Sequence, residues 1–532
     1  MGIIIGNRDF FSNKLAGEYG TDLPDALQKV GIIRLALCHF QPIHNCSMNR
    51  YFLKQLSILL VGLLVSIRLV AQPEPKRRVL VLTDIEADPD DSQSLVRFLT
   101  YANQWDIEGL IATTSIHQKG RVAPETIHQL VDAYGKVQPN LLKHEPGYPT
   151  AQSIKTVIRK GLPVYGMGGV GEGRDSEGSE WIIKVLDKPD ARPVWVPVWG
   201  GPNTLAQALW KIRKTRTPEQ AESLYRKLRV YTISDQDDSG PWIRKTFPGI
   251  FFVVSPGYGY EQATWRGINT TDPGTHPDVI SSDWLAQHIQ QDHGPMGAQY
   301  PDVSYGMEGD SPSFMSLLNN GLNNPEHPDY GGWGGRYTLY QPTTLPPRGR
   351  FARPDFPADE LETRPIWTNA ADSVYTSSLP RKSYMEVLEP SPAKSIQTTI
   401  WRWREDFQHD FAARMDWCTK PYQAANHPPK PALAHPEKLT VRSGEQFHLN
   451  AAGTTDPDGD SMSYLWFQYP EAGTYPGLVS FRPYASNLYD LPVSAPDVTT
   501  PQTIHFILRV TDKGTPALSR YQRVIVTVVP NH

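Results

Sequence analysis

The chain has 532 residues, 52 Lys and Arg against 56 Asp and Glu, and a formal net charge of −4. With no basic block or stripe, it gives no electrostatic case for a nucleic-acid partner, and its length exceeds one ordinary domain. The 14 Trp, 24 Tyr, 48 Pro and 41 Gly imply long, shaped loops, although Trp and Tyr fill cores as readily as they stack on ligands.

The first recognisable segment starts at Met48: "MNRYFLKQLSILLVGLLVSIRLVAQ". Arg50 and Lys54 precede an apolar stretch from Leu56 to Ile67, with a small-residue cut site after Ala71. This predicts a secretory signal peptide over 48–71, with residues 1–47 an upstream extension. The alternative is a membrane anchor, for which the apolar run is short. Export would place the protein outside the cell, in a periplasm or on a cell surface, with no membrane span after signal removal. Of the three Cys only Cys418 lies beyond this segment, so no internal disulfide is expected.

From Arg77 the pattern alternates. "RRVLVLTD", "DIEGLIATTS", "PVWVPVWGG", "KLRVYTIS" and "IFFVVS" read as strands. "SQSLVRFLTYANQ", "PETIHQLVDAYGKVQPNLLK", "SEWIIKVLDK", "NTLAQALWKIRKT" and "PWIRKTFP" read as helices between them. Such alternation predicts an α/β domain, a mainly parallel sheet with helices on both faces. Beyond Tyr258 Gly/Pro/Asn-rich loops take over, and a helical stretch from Ser395 to Cys418 closes a domain spanning 76–425. "NHPPKPALAHPEK" is a Pro-rich linker over 426–437. Short alternating strands over 438–532 predict an all-β, immunoglobulin-like sandwich. Its "DPDGD" loop offers Asp456, Asp458 and Asp460 to calcium. It is not an EF-hand, because Phe467 stands at the twelfth loop position, and an Asp-Gly turn without metal is the simpler reading.

"TDIEADPDD" sets Asp84, Glu86, Asp88, Asp90 and Asp91 at the carboxyl end of the first strand, where ligands bind in parallel sheets. Carboxylates so crowded either share a hard divalent cation or form a solvated turn that starts a helix. "GMGGVG", Gly166 to Gly171, fits a dinucleotide fingerprint but comes too late in the fold. It reads as a flexible loop over the site, and no nucleotide cofactor is expected. "GYGYEQATW" and "GGWGGRY" are candidate sugar-stacking platforms or ordinary packing.

"VLTD…DPDDSQSLVRFL" resembles the opening of nucleoside hydrolases, with two extra residues. "EGLIATTS", "VWGGPNTLAQAL" and "EGDSPSF" resemble later segments of that family. More closely, "TDIEADPDD", "GVGEGRDSEGSEWI", "QDDSGPWIR" and "GLNNPEHPDYGGWGGRY" resemble secreted bacterial cellulose-binding proteins. These carry a nucleoside-hydrolase-like domain and a β-sandwich C-terminal domain. The resemblance implies Ca²⁺ held by Asp84, Asp91, Asp310 and the Trp199 carbonyl. Asp84 would accept a proton from water, making Asp84 and Asp91 the catalytic pair, and Asp90 would bind a sugar hydroxyl. Asn203, Asp238, Glu308, Trp333 and Arg336 are further candidates for substrate contact.

Two departures stand out. Gly309 replaces the His that helps a base leave, and the Glu-x-Asn sugar contacts have no counterpart. The leaving-group acid is unassigned, with Glu308, Asp238, Glu172 and His144 as candidates. The expected function is a secreted Ca²⁺-dependent glycoside hydrolase acting on plant or cell-wall carbohydrate. The alternatives are a non-catalytic cellulose- or carbohydrate-binding protein on the same scaffold and a nucleoside hydrolase, which export and Gly309 oppose. Oligomeric state is not legible.

Overall fold

The computed structural model describes residues 75–272, 275–348, 356–377, 388–479 and 489–531, so the expected signal segment lies outside the described residues. β1 (Arg77–Thr83) is followed by α1 (Asp90–Thr100), β2 (Trp105–Ala112), α2 (Pro124–His144), β3 (Ile158–Lys160) and α3 (Glu177–Leu186). Next come β4 (Val194–Val198), α4 (Asn203–Thr215), α5 (Pro218–Tyr225), β5 (Leu228–Ser234), α6 (Ser239–Thr246) and β6 (Phe251–Ser255). With β7 (Tyr337–Tyr340) and β8 (Ile366–Asn369) they form one sheet in the order β3-β2-β1-β4-β5-β6-β8-β7. Every neighbouring pair is parallel except β7–β8.

β1 shows why both faces are covered. Its six residues after Arg77 are all buried, and alternate side chains point to opposite faces. Val79 and Val81 pack in one apolar cluster with Leu95 and Ile127. Leu80 and Leu82 pack in a second with Val185 and Leu205. The strand order reverses between β1 and β4, which opens a crevice at their carboxyl ends. Asp84 and Trp199 are the residues that follow those two strands.

Beyond the main sheet, β9 (Asp372–Ser377) and β10 (Leu388–Ser395) form an antiparallel pair. A helix then runs over α7 (Arg404–Trp417). The C-terminal region forms a four-stranded sheet, β11-β16-β15-β13, and a two-stranded one, β12-β14. Their ranges are β11 (Lys438–Arg442), β12 (Gln446–Asn450), β13 (Met462–Gln468), β14 (Asp490–Ser494), β15 (Gln502–Asp512) and β16 (Ser519–Val529). Leu449 and Val493 of the small sheet meet Phe506 and Val526 of the large one in a separate core. The Asp456, Asp458 and Asp460 carboxylates approach within 4.8 Å of one another. The Asp456 Oδ1 accepts from the Asp458 and Asp460 amides, and Asp458 accepts from the His427 backbone amide at 2.7 Å.

The outer face of the larger sheet packs on the α/β domain. Tyr469, Ile507 and Tyr521 share an apolar cluster with Trp333, Trp403 and Phe407. The Trp333 indole N–H donates to the Tyr521 hydroxyl at 3.3 Å. Arg336 pairs with Asp372 at 2.7 Å, and Tyr469 donates to the same carboxylate at 2.6 Å. "GGWGGRY" therefore joins the two domains and is not a sugar platform: Trp333 is 1% exposed. Trp333→Ala should cost about 3–5 kcal/mol of stability, read as an earlier urea midpoint.

Candidate functional site

The acidic loop is held by its own backbone. The Ala87 amide donates to the Asp84 carbonyl, and the Ile85 amide to Thr83 Oγ1. Thr83 Oγ1 in turn donates to Asp91 Oδ1. Asp90 and Asp91 open α1, where the helix dipole favours negative charge. Glu86 leaves the group: it points to Arg121 and Thr126, whose hydrogen bonds lower its pKa.

Across the crevice, Gly200 packs on Asp84. A Cβ at Gly200 would lie 2.6 Å from Asp84 Oδ1, and one at Gly201 would lie 2.2 Å from Asp237 Oδ2. Only glycines let the β4 exit approach these carboxylates. The Trp199 indole is fully buried and donates to Ser313 Oγ at 3.0 Å. Its backbone carbonyl accepts from Gln236 Nε2 at 2.5 Å, which leaves one carbonyl lone pair open. Asp310 stands at the N-cap position of the short helix Ser311–Met315, its side chain making no capping hydrogen bond, and is 1% exposed.

Asp88, Asp90 and Asp91 bring carboxylate oxygens within 4.8 Å of one another, and Asp84 and Asp310 lie close enough to exchange charge effects with them. Asp310 feels the charges of Asp90, Asp91, Asp84 and Asp88, and Asp84 and Asp91 feel each other. Burial pushes the Asp84 carboxyl up to about 6, with the Asp88 charge adding to it. Burial, reinforced by neighbouring carboxylates, raises Asp90, Asp91 and Asp310 well above the ordinary range. Among the largest influences on these four, none is a Lys or Arg. Asp84 Oδ1 and Asp310 Oδ2 are buried with no hydrogen-bond partner. Unpartnered, buried oxygen donors crowded by like charges fit a hard divalent cation.

Other candidates are committed elsewhere. Glu308 is fully buried; Arg97 pairs with it bidentately, and Tyr300 and Ser311 donate to it at 2.8 and 2.7 Å. It is a structural anchor and not a substrate contact. Glu308→Gln leaves the Arg97 cation buried with a weaker partner and should cost about 3–5 kcal/mol, measured by chemical denaturation. Asn203 spends its amide on Thr113, Thr114 and the Val164 carbonyl. Asp238 is exposed, and its Oδ1 accepts from the Met167 amide at 2.7 Å. Together with Gln207, which grips Gly171, these residues pin the Gly166–Gly171 loop, which the sequence suggests is flexible. His144 stacks on Trp417 and bonds to His427 and the Lys420 carbonyl. It closes α2 at the amino edge of the sheet, away from the crevice. Glu172 is an exposed loop residue.

Sequence reasoning misses Asp237. It is fully buried, its Oδ1 accepts from the Ser239 amide and hydroxyl, and its Oδ2 has no partner. Burial pushes its pKa up to about 7. The adjacent Gly200-Gly201 pair is the signal that could have pointed to it.

Residues 78–337 match the family model for "Cellulose-binding Sde182, nucleoside hydrolase-like domain", and residues 446–528 match "Cellulose-binding protein Sde0182, C-terminal domain". A solved structure, a nucleoside hydrolase-related hypothetical protein from Saccharophagus degradans associated with carbohydrate metabolism, is 36% identical. The match covers 85% of this chain and 100% of that one, at a TM-score of 0.70. The chain belongs to this cellulose-binding family. A PKD domain from the KIAA 1837 protein (22% identity, 19% of this chain and 86% of that one, TM-score 0.15) carries no weight. Nor does the type III effector XopQ complexed with adenosine diphosphate ribose (12%, 68% and 99%, TM-score 0.29). No curated protein matches the chain.

Membership agrees with the fold that the family resemblance implies. It also sharpens the Gly309 departure from the nucleoside hydrolases. A Cβ at Gly309 would lie 2.8 Å from Asp90 Oδ2 and 3.0 Å from the Trp265 ring. Trp265 is half-buried, donates to Ser234 Oγ at 3.0 Å and meets Tyr260 edge-on. An indole and a carboxylate fill the space that a side chain at 309 would need.

Proposed function

We propose that the protein is a Ca²⁺-dependent hydrolase of glycosyl bonds that acts on plant or cell-wall carbohydrate outside the cytoplasm. The buried oxygens of Asp84 and Asp310, left without hydrogen-bond partners beside the clustered carboxylates of Asp88, Asp90 and Asp91, carry this reading. These residues and the Trp199 carbonyl would hold the ion. Bound there, it would supply Lewis acidity and a fixed positive charge. Asp84 would accept the proton of the attacking water. Asp90 accepts a hydrogen bond from a sugar hydroxyl, and its charge favours an oxocarbenium-like transition state. The Trp265 ring beside Asp90 walls the sugar from solvent. Family membership supports the carbohydrate, and the Met48–Ala71 segment supports export.

One observation favours a second reading, a non-catalytic carbohydrate-binding protein. Of the expected leaving-group acids, Glu308 and His144 are locked in other contacts, Asp238 holds a loop, and Glu172 is exposed. Product release from a panel of oligosaccharides, polysaccharides and nucleosides separates the readings. Wild type and Asp91→Asn are compared, each with Ca²⁺ and with chelator. Sugar release that falls at least ~10²-fold on mutation and disappears on chelation supports the hydrolase. Polysaccharide binding without turnover supports the second reading, and nucleoside cleavage refutes the substrate assignment.

A further inference from the structure

A cleft lies beside the acidic site and no step above uses it. It encloses about 180 Å³, less than the ~300–1,000 Å³ of a pocket that swallows a whole small molecule, and so is a groove for part of a longer ligand. Its walls are the loop after β6 and the chain leaving β7, with Tyr260, Gln262, Tyr340, Thr344, Leu345 and Asn369 among them. Ser234, the last residue of β5, forms part of its lining.

Two contacts join the cleft to the acidic site. Trp265 reaches Ser234 in the cleft through its N–H, and its ring edge lies against Gly309 beside Asp90. Tyr260 lies 3.3 Å, hydroxyl to Nε2, from His117. His117 is two residues from Ser115, whose side chain hydrogen-bonds Asp84. Through these contacts the cleft lies one side chain away from the carboxylates.

The lining chemistry restricts the ligand. Among the described residues, none of the fifteen that line it carries a charge, so phosphates, nucleotides and charged peptides find no counter-ion in these walls. The walls combine aromatic rings and prolines with amide and hydroxyl groups. Tyr340 and Leu345 are 44% and 51% exposed, an open apolar surface rimmed by Gln262 and Thr344. Rings with apolar faces and hydroxylated edges match such walls.

We infer that this cleft binds the further sugar units of a neutral oligosaccharide whose first unit sits at the acidic site, with Tyr260 and Tyr340 as stacking faces. The inference deepens the hydrolase reading and rests on it for the position of that first unit. It makes the protein a reader of chains and not of single sugars.

The test is calorimetric titration of the full chain, with Ca²⁺ present, using hydrolysis-resistant thio-linked β-1,4-glucose oligosaccharides of two to six units so that no turnover intervenes. Affinity should rise with length. Tyr340→Ala should weaken the longer ligands by at least about fivefold and barely affect the shortest, while Tyr340→Phe keeps the gain. Thr344→Trp, which fills the cleft from an exposed position, should flatten the length dependence in the same way. Affinity independent of length, or a length dependence untouched by Tyr340→Ala and Thr344→Trp, overturns the inference. Hydrolysis assayed separately with Ca²⁺ tells the two failures apart. Turnover without length dependence removes only the cleft, and length dependence without turnover removes only the catalytic reading.

Discussion

Asp310→Asn should lower the affinity for Ca²⁺ by about two orders of magnitude, roughly 2.7 kcal/mol, and still leave a protein that is no less stable in chelator. The two effects have one cause. Asp310 is 1% exposed, its Oδ2 has no partner, and it feels four other carboxylates. Removing its charge relieves repulsion in the cation-free protein and takes away an anionic donor from the cation-bound one. A side chain that merely capped the Ser311–Met315 helix would behave oppositely, because losing a cap destabilises with or without cation. Calorimetric titration with Ca²⁺, paired with melting in chelator, reads both quantities. Unchanged affinity would move the ion to Asp88, Asp90 and Asp91 alone, whose oxygens already lie within 4.8 Å of one another.

The sequence reveals those parts of the fold whose burial leaves a continuous mark. β1, β2, β4, β5 and β6 are covered on both faces and stand out as apolar runs. β3 has three residues, and β7 and β8 have four each; at that length an apolar pair in a loop looks the same. In the site, Asp84, Asp90 and Asp91 are legible because they are neighbours at a strand end. Asp310, far along the chain, depends on the family resemblance. In "SDQDDSG" the composition cannot say which carboxylate turns inward. Asp235 pairs with Arg244, Asp238 faces solvent, and Asp237 alone is buried without a cation. Trp333 and Arg336 mislead for a related reason. Glycines around an aromatic permit close approach equally to a sugar or to another domain, and only the fold reveals that the sandwich sheet arrives there.

The stability gained from cation should grow as pH rises. Asp84 titrates near 3.8 in the ordinary state and at about 6 in the fold, and burial takes Asp237 to about 7. Between those values the folded protein holds protons that the unfolded chain has released. Unfolding free energy therefore falls as pH rises through that window. For Asp84 the loss is on the order of 3 kcal/mol, with Asp90, Asp91 and Asp310 acting in the same direction. Carboxylates held low by cations, such as Asp410 beside Arg520 and Arg414, work the other way and lose stability as pH falls. Those ion pairs contribute equally with and without Ca²⁺, so the difference between the two melting curves isolates the acidic site. At pH 5 protons already neutralise much of the cluster, and added Ca²⁺ must displace them. At pH 7.5 the ion meets ionised carboxylates whose repulsion it relieves. The rise in Tm on adding Ca²⁺ should therefore be larger at pH 7.5 than at pH 5, and the binding enthalpy at pH 5 should vary with the buffer's own ionisation enthalpy as protons are released. Equal shifts at both pH values would mean that the ion binds groups that do not titrate in this window, and that the clustered carboxylates are not its ligands.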